Sequence, residues 1–213
     1  KYLFNNGQYA DAIPYYDRVE TATSSPEIKY NARVGLMRSY FLTEKWADAS
    51  QYADKVLASS SVSQQIKVEA YYSKGMSNYH LNRFNNAKPA LEWIIQNTTT
   101  ERASQARHSL AELYFKKGDY AEADAEVTKL LKMKPAFNFW IAKSLILRTR
   151  VYMAQDKLFD AEQTLRSVID HYSIQDDGVL DEANLLWDEL MQLKNQPKNI
   201  EPGTNPIIDI NGQ

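Results

Sequence analysis

The sequence predicts an all-α chain: a solenoid of antiparallel helix pairs closed by a C-terminal capping helix. Three observations carry that prediction. A ten-residue block centred on an alanine recurs five times. Apolar residues around it fall at helical spacing. The 213 residues also hold only 7 Gly and 7 Pro beside 14 Tyr, too few turn formers for a strand-rich protein or a glycine-rich phosphate loop. The rest of the composition narrows function. With 25 Lys+Arg against 27 Asp+Glu the net charge is −2, which argues against a general nucleic-acid binder. Zero cysteine removes disulfides, Cys-based zinc sites and thiol catalysis. No run approaches the roughly 18 consecutive apolar residues of a membrane helix, so no membrane insertion is expected.

The blocks are GQYADAIPYY, EKWADASQYA, NRFNNAKPAL, GDYAEADAEV and DKLFDAEQTL, anchored at Ala12, Ala49, Ala87, Ala123 and Ala161, so the units recur every 36 to 38 residues. Three residues before each anchor stands a large apolar group: Tyr9, Trp46, Phe84, Tyr120 and Leu158. Six earlier come Leu3, Tyr40, Asn78, Tyr114 and Tyr152, with Asn78 the one departure. The alanine has a steric reason. Two helices that cross closely need a small side chain at the contact, and a larger one costs roughly 1–3 kcal/mol in overpacking.

The elements follow in order. The opening KYLFNNGQYADA reads as the last turns of a helix whose beginning is absent, so residues 1–25 form a truncated first unit and the chain is expected to be a fragment or processed piece of a longer one. Full units follow over 26–62, 63–99, 100–136 and 137–175. Polar turns separate them at Ser24-Ser25, Ser59-Ser60-Ser61-Val62-Ser63 and Thr98-Thr99-Thr100. The fourth unit is the clearest. Residues 105–117 place Ala106, Leu110, Leu113 and Tyr114 at helical spacing, and Gly118-Asp119 supplies the stop. Residues 120–133 continue with Ala123, Val127, Leu130 and Leu131 until Pro135 ends the run. Residues 179–194 form one more amphipathic helix, with Leu180, Ala183, Leu186, Trp187, Leu190 and Leu193 on one side and Asp181 and Glu182 in its first turn. A solenoid needs such a cap over its last hydrophobic face. After it, residues 195–213 are Pro- and Asn-rich, and read either as an extended or disordered tail or, given Ile207, Ile208 and Ile210, as a segment that docks onto the solenoid or a neighbouring chain.

The segment LAELYFKKGDYAEADAEVTKLLKMKP resembles the tetratricopeptide repeat (TPR), with Ala111, Tyr114, Gly118, Tyr120, Ala123 and Pro135 at its signature positions and Gly75 at the small-residue position of the third unit. The resemblance extends from residue 1 to about residue 172. Two departures stand out. The glycine usual between the helices is Glu44, Asn82 and Asp156 in units two, three and five, and the units exceed the repeat's typical length of about 34 residues. Lengthened repeats of this style resemble those of bacterial cell-envelope proteins, which would place the chain in or near the periplasm or outer membrane.

The resemblance implies a right-handed superhelix whose first helices line a concave face where a protein or peptide partner lies. In the register set by the anchors, unit two offers Asn31, Arg38 and Phe41 to that face, and unit three offers Glu69, Tyr72, Met76 and Tyr79. Unit four offers Gln105, His108, Glu112 and Phe115, and unit five Lys143, Ile146, Arg150 and Met153. Aromatics, Met and Arg are the types enriched at binding hot spots. Some members of the family hold a C-terminal carboxylate with a Lys, Asn and Arg clamp. Here Val34, Arg38, Tyr72 and Met76 stand where the clamp would lie, so it is not matched and contact through aromatic and apolar groups fits better.

No chemistry competes with this reading. His80, His108 and His171 lie in different units without metal-ligand spacing, and no metal or cofactor is expected. Asp176-Asp177-Gly178 lacks the alternating ligands of a calcium loop and reads as the turn leading into the last helix. Asn97-Thr98-Thr99 satisfies the glycosylation sequon, a three-residue match of low specificity. No nucleophile elbow, phosphate loop or dinucleotide fingerprint is present. The sequence therefore points to a non-catalytic scaffold. Two alternatives remain open: a structural module that self-associates through Trp187 and the terminal helix, or the docking arm of an enzyme encoded upstream.

Overall fold

The structure, a computed structural model, describes residues 1–196. Of the expected tail only Asn195 and Gln196 fall within it; Ile207, Ile208 and Ile210 lie outside the described residues. Eleven helices and no strand occur among the described residues: α1 (Tyr2–Asn5), α2 (Tyr9–Ala22), α3 (Pro26–Leu42), α4 (Trp46–Leu57), α5 (Gln64–His80), α6 (Phe84–Asn97), α7 (Glu101–Lys117), α8 (Tyr120–Leu131), α9 (Asn138–Ala154), α10 (Leu158–His171) and α11 (Val179–Asn195). Each packs on the next in the chain, so α1–α2, α3–α4, α5–α6, α7–α8 and α9–α10 form five successive pairs. The all-α solenoid is the observed architecture. In the fourth unit the first helix begins at Glu101, one turn before the expected 105, and α8 ends at Leu131, ahead of Met133 and Pro135.

The repeat's sequence features each have a visible task. All five anchor alanines are buried. Large residues before them pack edge-on or tilted against the end of the preceding first helix: Tyr9 on Phe4 at 5.0 Å between ring centroids, Trp46 on Phe41 at 5.4 Å and Tyr120 on Phe115 at 5.7 Å. The one polar departure, Asn78, is buried and donates to Ser50 Oγ at 2.7 Å and to the Lys74 carbonyl at 2.8 Å, bridging α5 to α4. Residues that lengthen the units serve as caps: the hydroxyls of Ser25 and Ser63 accept from the Ile28 and Ile66 amides at the starts of α3 and α5.

Between paired helices the chain must turn through the left-handed region. Gly7 and Gly118 do so at φ 76° and 81°, and Glu44, Asn82 and Asp156 adopt the same conformation at φ 58°, 53° and 57°. The missing glycines of units two, three and five are thus replaced without a change of backbone. Asn and Asp tolerate this region better than a longer side chain does, so the strain is greatest at Glu44.

The hydrophobic core is a chain of local clusters, as expected of stacked units. One joins α2 to α5, the next α5 to α7, a third α7 to α9, and the last α9, α10 and α11. Helix α11 contacts α9 and α10, the place that the first helix of a further unit would take. It buries Val179, Ala183, Leu186 and Leu190, and turns Asp181, Asn184, Asp188, Gln192 and Asn195 to solvent. A polar outer stripe is what ends such a stack, and Leu185 is the apolar interruption in it. Leu193, expected on the buried side, is exposed. The turn before α11 behaves as a helix start: Asp177 accepts from the Val179 amide at 3.1 Å, with Gly178 left-handed at φ 79°.

Replacing Glu44 by Gly removes left-handed strain of roughly 1–2 kcal/mol while adding part of that back as backbone entropy. Thermal denaturation should therefore show Glu44→Gly more stable by roughly 0.5–1 kcal/mol. Gly75→Val should move the other way, because a Cβ at residue 75 lies 2.9 Å from Leu91 Cδ2 and 3.3 Å from the Leu91 backbone nitrogen. Equal melting temperatures for wild type and both variants would refute this account of the repeat.

Candidate partner-binding groove

The first helices of successive units touch one another: α3 meets α5, α5 meets α7, α7 meets α9 and α9 meets α11. The second helices pack instead against the first helices on either side of them. A row whose members touch across the repeat lies on the inside of the curve, so the first helices form the concave face.

Polar links run along this row from helix to helix. Arg38 of α3 pairs with Glu69 of α5, with Nη2 2.5 Å from Oε2. The Tyr72 hydroxyl of α5 donates to Gln105 Oε1 of α7 at 2.5 Å, and the Tyr79 hydroxyl donates to Glu112. His108 Nδ1 of α7 lies 3.0 Å from Ser144 Oγ of α9. Glu182 of α11 pairs with Lys143 and, at 2.9 Å, with Arg150. Nine of the fifteen residues predicted to face inward thus hold a polar link to a neighbouring first helix or to α11. Half-exposed ion pairs of this kind contribute about 0–1 kcal/mol each, so they fix orientation more than they stabilise.

At the N-terminal end four successive first helices enclose one hollow of about 320 Å³. Phe4 comes from α1, and Met37, Arg38, Phe41 and Leu42 from α3. Glu69, Tyr72 and Ser73 come from α5 and Arg102 from α7. The Phe41 and Tyr72 rings lie 5.7 Å apart, and the Arg102 guanidinium sits 5.0 Å from the Tyr72 ring centre. Arg38, Phe41, Glu69 and Tyr72 are thus brought together. Asn31 is exposed but lines a separate depression, with Tyr30, Arg33 and the Ser59–Ser61 turn. Phe115 and Met153 are half-buried at the ends of α7 and α9.

Three predicted inward residues require correction. Met76, His108 and Ile146 are 3%, 6% and 0% exposed, so they lie beneath the groove and do not line it. A neighbouring element covers each. Ser109 of α7 lies against Met76, with its hydroxyl 3.7 Å from the sulfur. Trp140 of α9 covers His108 at 5.5 Å between rings, and Ile146 is inside the cluster closed by α11. Register on a single helix cannot include the helix that slides in beside it. The same reading missed Phe4, Arg102, Trp140 and Glu182. Arg102 was within reach, since it stands one turn before Gln105 on the same face. Trp187 is partly buried against the α9–α10–α11 cluster, under the Arg166 guanidinium at 5.4 Å.

The electrostatics of the groove's far end follow from burial. His108 is pushed down to about 4 by burial, with Glu112 pulling upward and Lys143 adding to the lowering, so the ring is neutral at pH 7. Burial also raises the Tyr79 hydroxyl, as does the Glu112 carboxylate, which keeps it a donor. Burial alone would raise Glu182, but the hydrogen bond from Lys143 and the charges of Lys143 and Arg150 hold it below the usual carboxylate range. Among the described residues no group of three or more His, Cys, Asp or Glu side chains is placed to hold a metal ion. No helix among them is long and apolar enough to cross a membrane.

Comparison with known proteins agrees with the geometry. A family model of the tetratricopeptide repeat matches residues 104–137. The solved structure of YrrB, described as a TPR protein with an unusual peptide-binding site, is similar with a TM-score of 0.64 and 18% identity over 86% of this chain and 87% of that one. The TPR domain of P58(IPK) aligns with a TM-score of 0.47 and 14% identity over 92% of this chain and 55% of that one. No curated protein sequence gives a significant match. One unit, residues 104–137, thus carries the family's sequence signature, and the helix pairs share the fold of a solved tetratricopeptide-repeat protein. Nothing in these matches bears on a cell-envelope location.

A neutral His108 in the folded state has a pH consequence. Unfolded chain takes up a proton near the ordinary histidine value of 6.5, whereas the folded protein resists until about 4. Stability from this group is present above 6.5 and is lost as pH falls through that window, by roughly 3 kcal/mol in all. Urea denaturation at pH 7 and pH 4.5 should show a clear loss for wild type and a much smaller pH-dependent loss for His108→Asn. Parallel losses in both proteins would refute the assignment.

Proposed function

We propose that the chain is a non-catalytic scaffold that holds an extended segment of a partner protein along the concave row of first helices. One observation carries the reading most: Phe4, Phe41, Tyr72 and Arg102, from four successive first helices, converge on a single hollow. A side chain seated there touches four helices at once, which converts stacking of the units into a binding site. The polar links along the row support the reading further. Gln105, Glu112 and Glu69 arrive already oriented by their neighbours, so little side-chain entropy remains to be lost on association. Charges along the row are largely paired, so shape and aromatic contact carry much of the selection. The fold-level likeness to YrrB, itself described as having a peptide-binding site, is in keeping with this use of the fold.

The test compares the two faces of the solenoid. Immobilised protein should capture a partner from lysate of its own cells, and Tyr72→Ala with Phe115→Ala should lower capture at least about tenfold, the effect of losing about 1.4 kcal/mol. Phe159 is 71% exposed on the second helix α10, so Phe159→Ala should leave capture unchanged. Circular dichroism of each variant guards against loss of fold. Capture that survives the double substitution, or that depends on Phe159, would refute the groove.

A further inference from the structure

The hollow at the N-terminal end is not electrically symmetrical, and its unpaired charge says what it is built to meet. The Arg38 guanidinium is neutralised by Glu69 at 2.5 Å. Arg102 stands on the opposite side, held over the Tyr72 ring at 5.0 Å, and has no carboxylate or carbonyl partner among the described residues. Its sequence neighbour Glu101 is engaged elsewhere, accepting from Trp140 Nε1 at 3.1 Å. Arg102 also sits in the first turn of α7, where the helix dipole has the sign of its own charge. Beneath these groups the walls are apolar: Phe4, Phe41 and Tyr72. The wall contains in addition Ser73, 4% exposed, whose hydroxyl has no hydrogen-bond partner. A partner with a cation here would face Arg102 directly, and a wholly apolar one would leave the guanidinium unmatched while removing its water.

Taking the concave-groove reading as its basis, we propose that this hollow recognises an acidic, apolar-anchored segment of the partner protein. A large apolar side chain enters between Phe4, Phe41 and Tyr72. A carboxylate beside it in the partner's sequence pairs with Arg102. Pairing with a guanidinium already fixed against an aromatic face orders little new side chain, and it is charge-assisted. The Ser73 hydroxyl is a second donor on the same wall.

Fluorescein-labelled peptides with Gly-Ser flanks around Phe-Glu-Glu, Phe-Gln-Gln, Phe-Lys-Lys or Ala-Glu-Glu, read by fluorescence polarisation, test this directly. The Phe-Glu-Glu probe should bind at least roughly tenfold tighter than the other three. Arg102→Glu, at an exposed position, should abolish that preference and favour Phe-Lys-Lys, and Arg102→Gln should level the Phe probes. If Phe-Gln-Gln binds wild type as well as Phe-Glu-Glu does, the acidic preference is refuted while the groove stands. If no probe binds, or if binding ignores both Arg102 variants, the recognition is refuted as well. The groove itself fails only when partner capture survives Tyr72→Ala with Phe115→Ala.

Discussion

Two helices of each unit cross so closely that only a methyl group or a hydrogen fits at the contact, and the remaining architecture depends on this limit. The five anchor alanines are buried, and at Gly75 a single added carbon would press on Leu91. Between units the fit is as close: at Gly35 on α3 an added carbon would lie 2.6 Å from the Tyr16 ring of α2. Because the pairs are that tight, each unit presents a flat pair of faces to the next, and the first helices come near enough to touch across the repeat. Curvature follows from that contact, and the groove follows from the curvature. No single unit has a core of its own; the clusters form between units, so the proposed binding face and the stability of the stack have one origin.

The lateral links show how the same row serves two ends. Tyr72 with Gln105, Tyr79 with Glu112, and Glu182 with Lys143 and Arg150 each join neighbouring first helices. Their individual energies are small, but each holds one side chain of the groove at a fixed angle. The cap takes part: α11 covers the last cluster and also supplies Glu182, which organises the two cations at that end of the groove. A terminal helix that only shielded apolar surface would not need a carboxylate there.

Much of this is legible in the residues. The anchor spacing, the aromatic three residues earlier and the stop at Gly118 mark the helix pairs, and Glu44, Asn82 and Asp156 occupy the left-handed turn where glycine is usual. What the residues conceal is lateral packing. Met76, His108 and Ile146 share the register of Tyr72, Gln105 and Arg150, yet they are covered because α7, α9 and α11 slide in beside them. Asn78 looks like a defect in a run of aromatics, but it is a bridge to Ser50 that forms only once α4 is in place. Arg102 and Phe4 gain meaning only when helices far apart in sequence meet at one hollow.

The central claim is that the first-helix row is the face a partner occupies. Hydrogen–deuterium exchange of the protein, alone and saturated with a captured partner, measures that most directly. The account predicts added protection confined to α3, α5, α7 and α9 and strongest around the ends that carry Phe41, Tyr72 and Gln105. Protection falling instead on α2, α4, α6, α8 and α10, with the first helices unchanged, would contradict it.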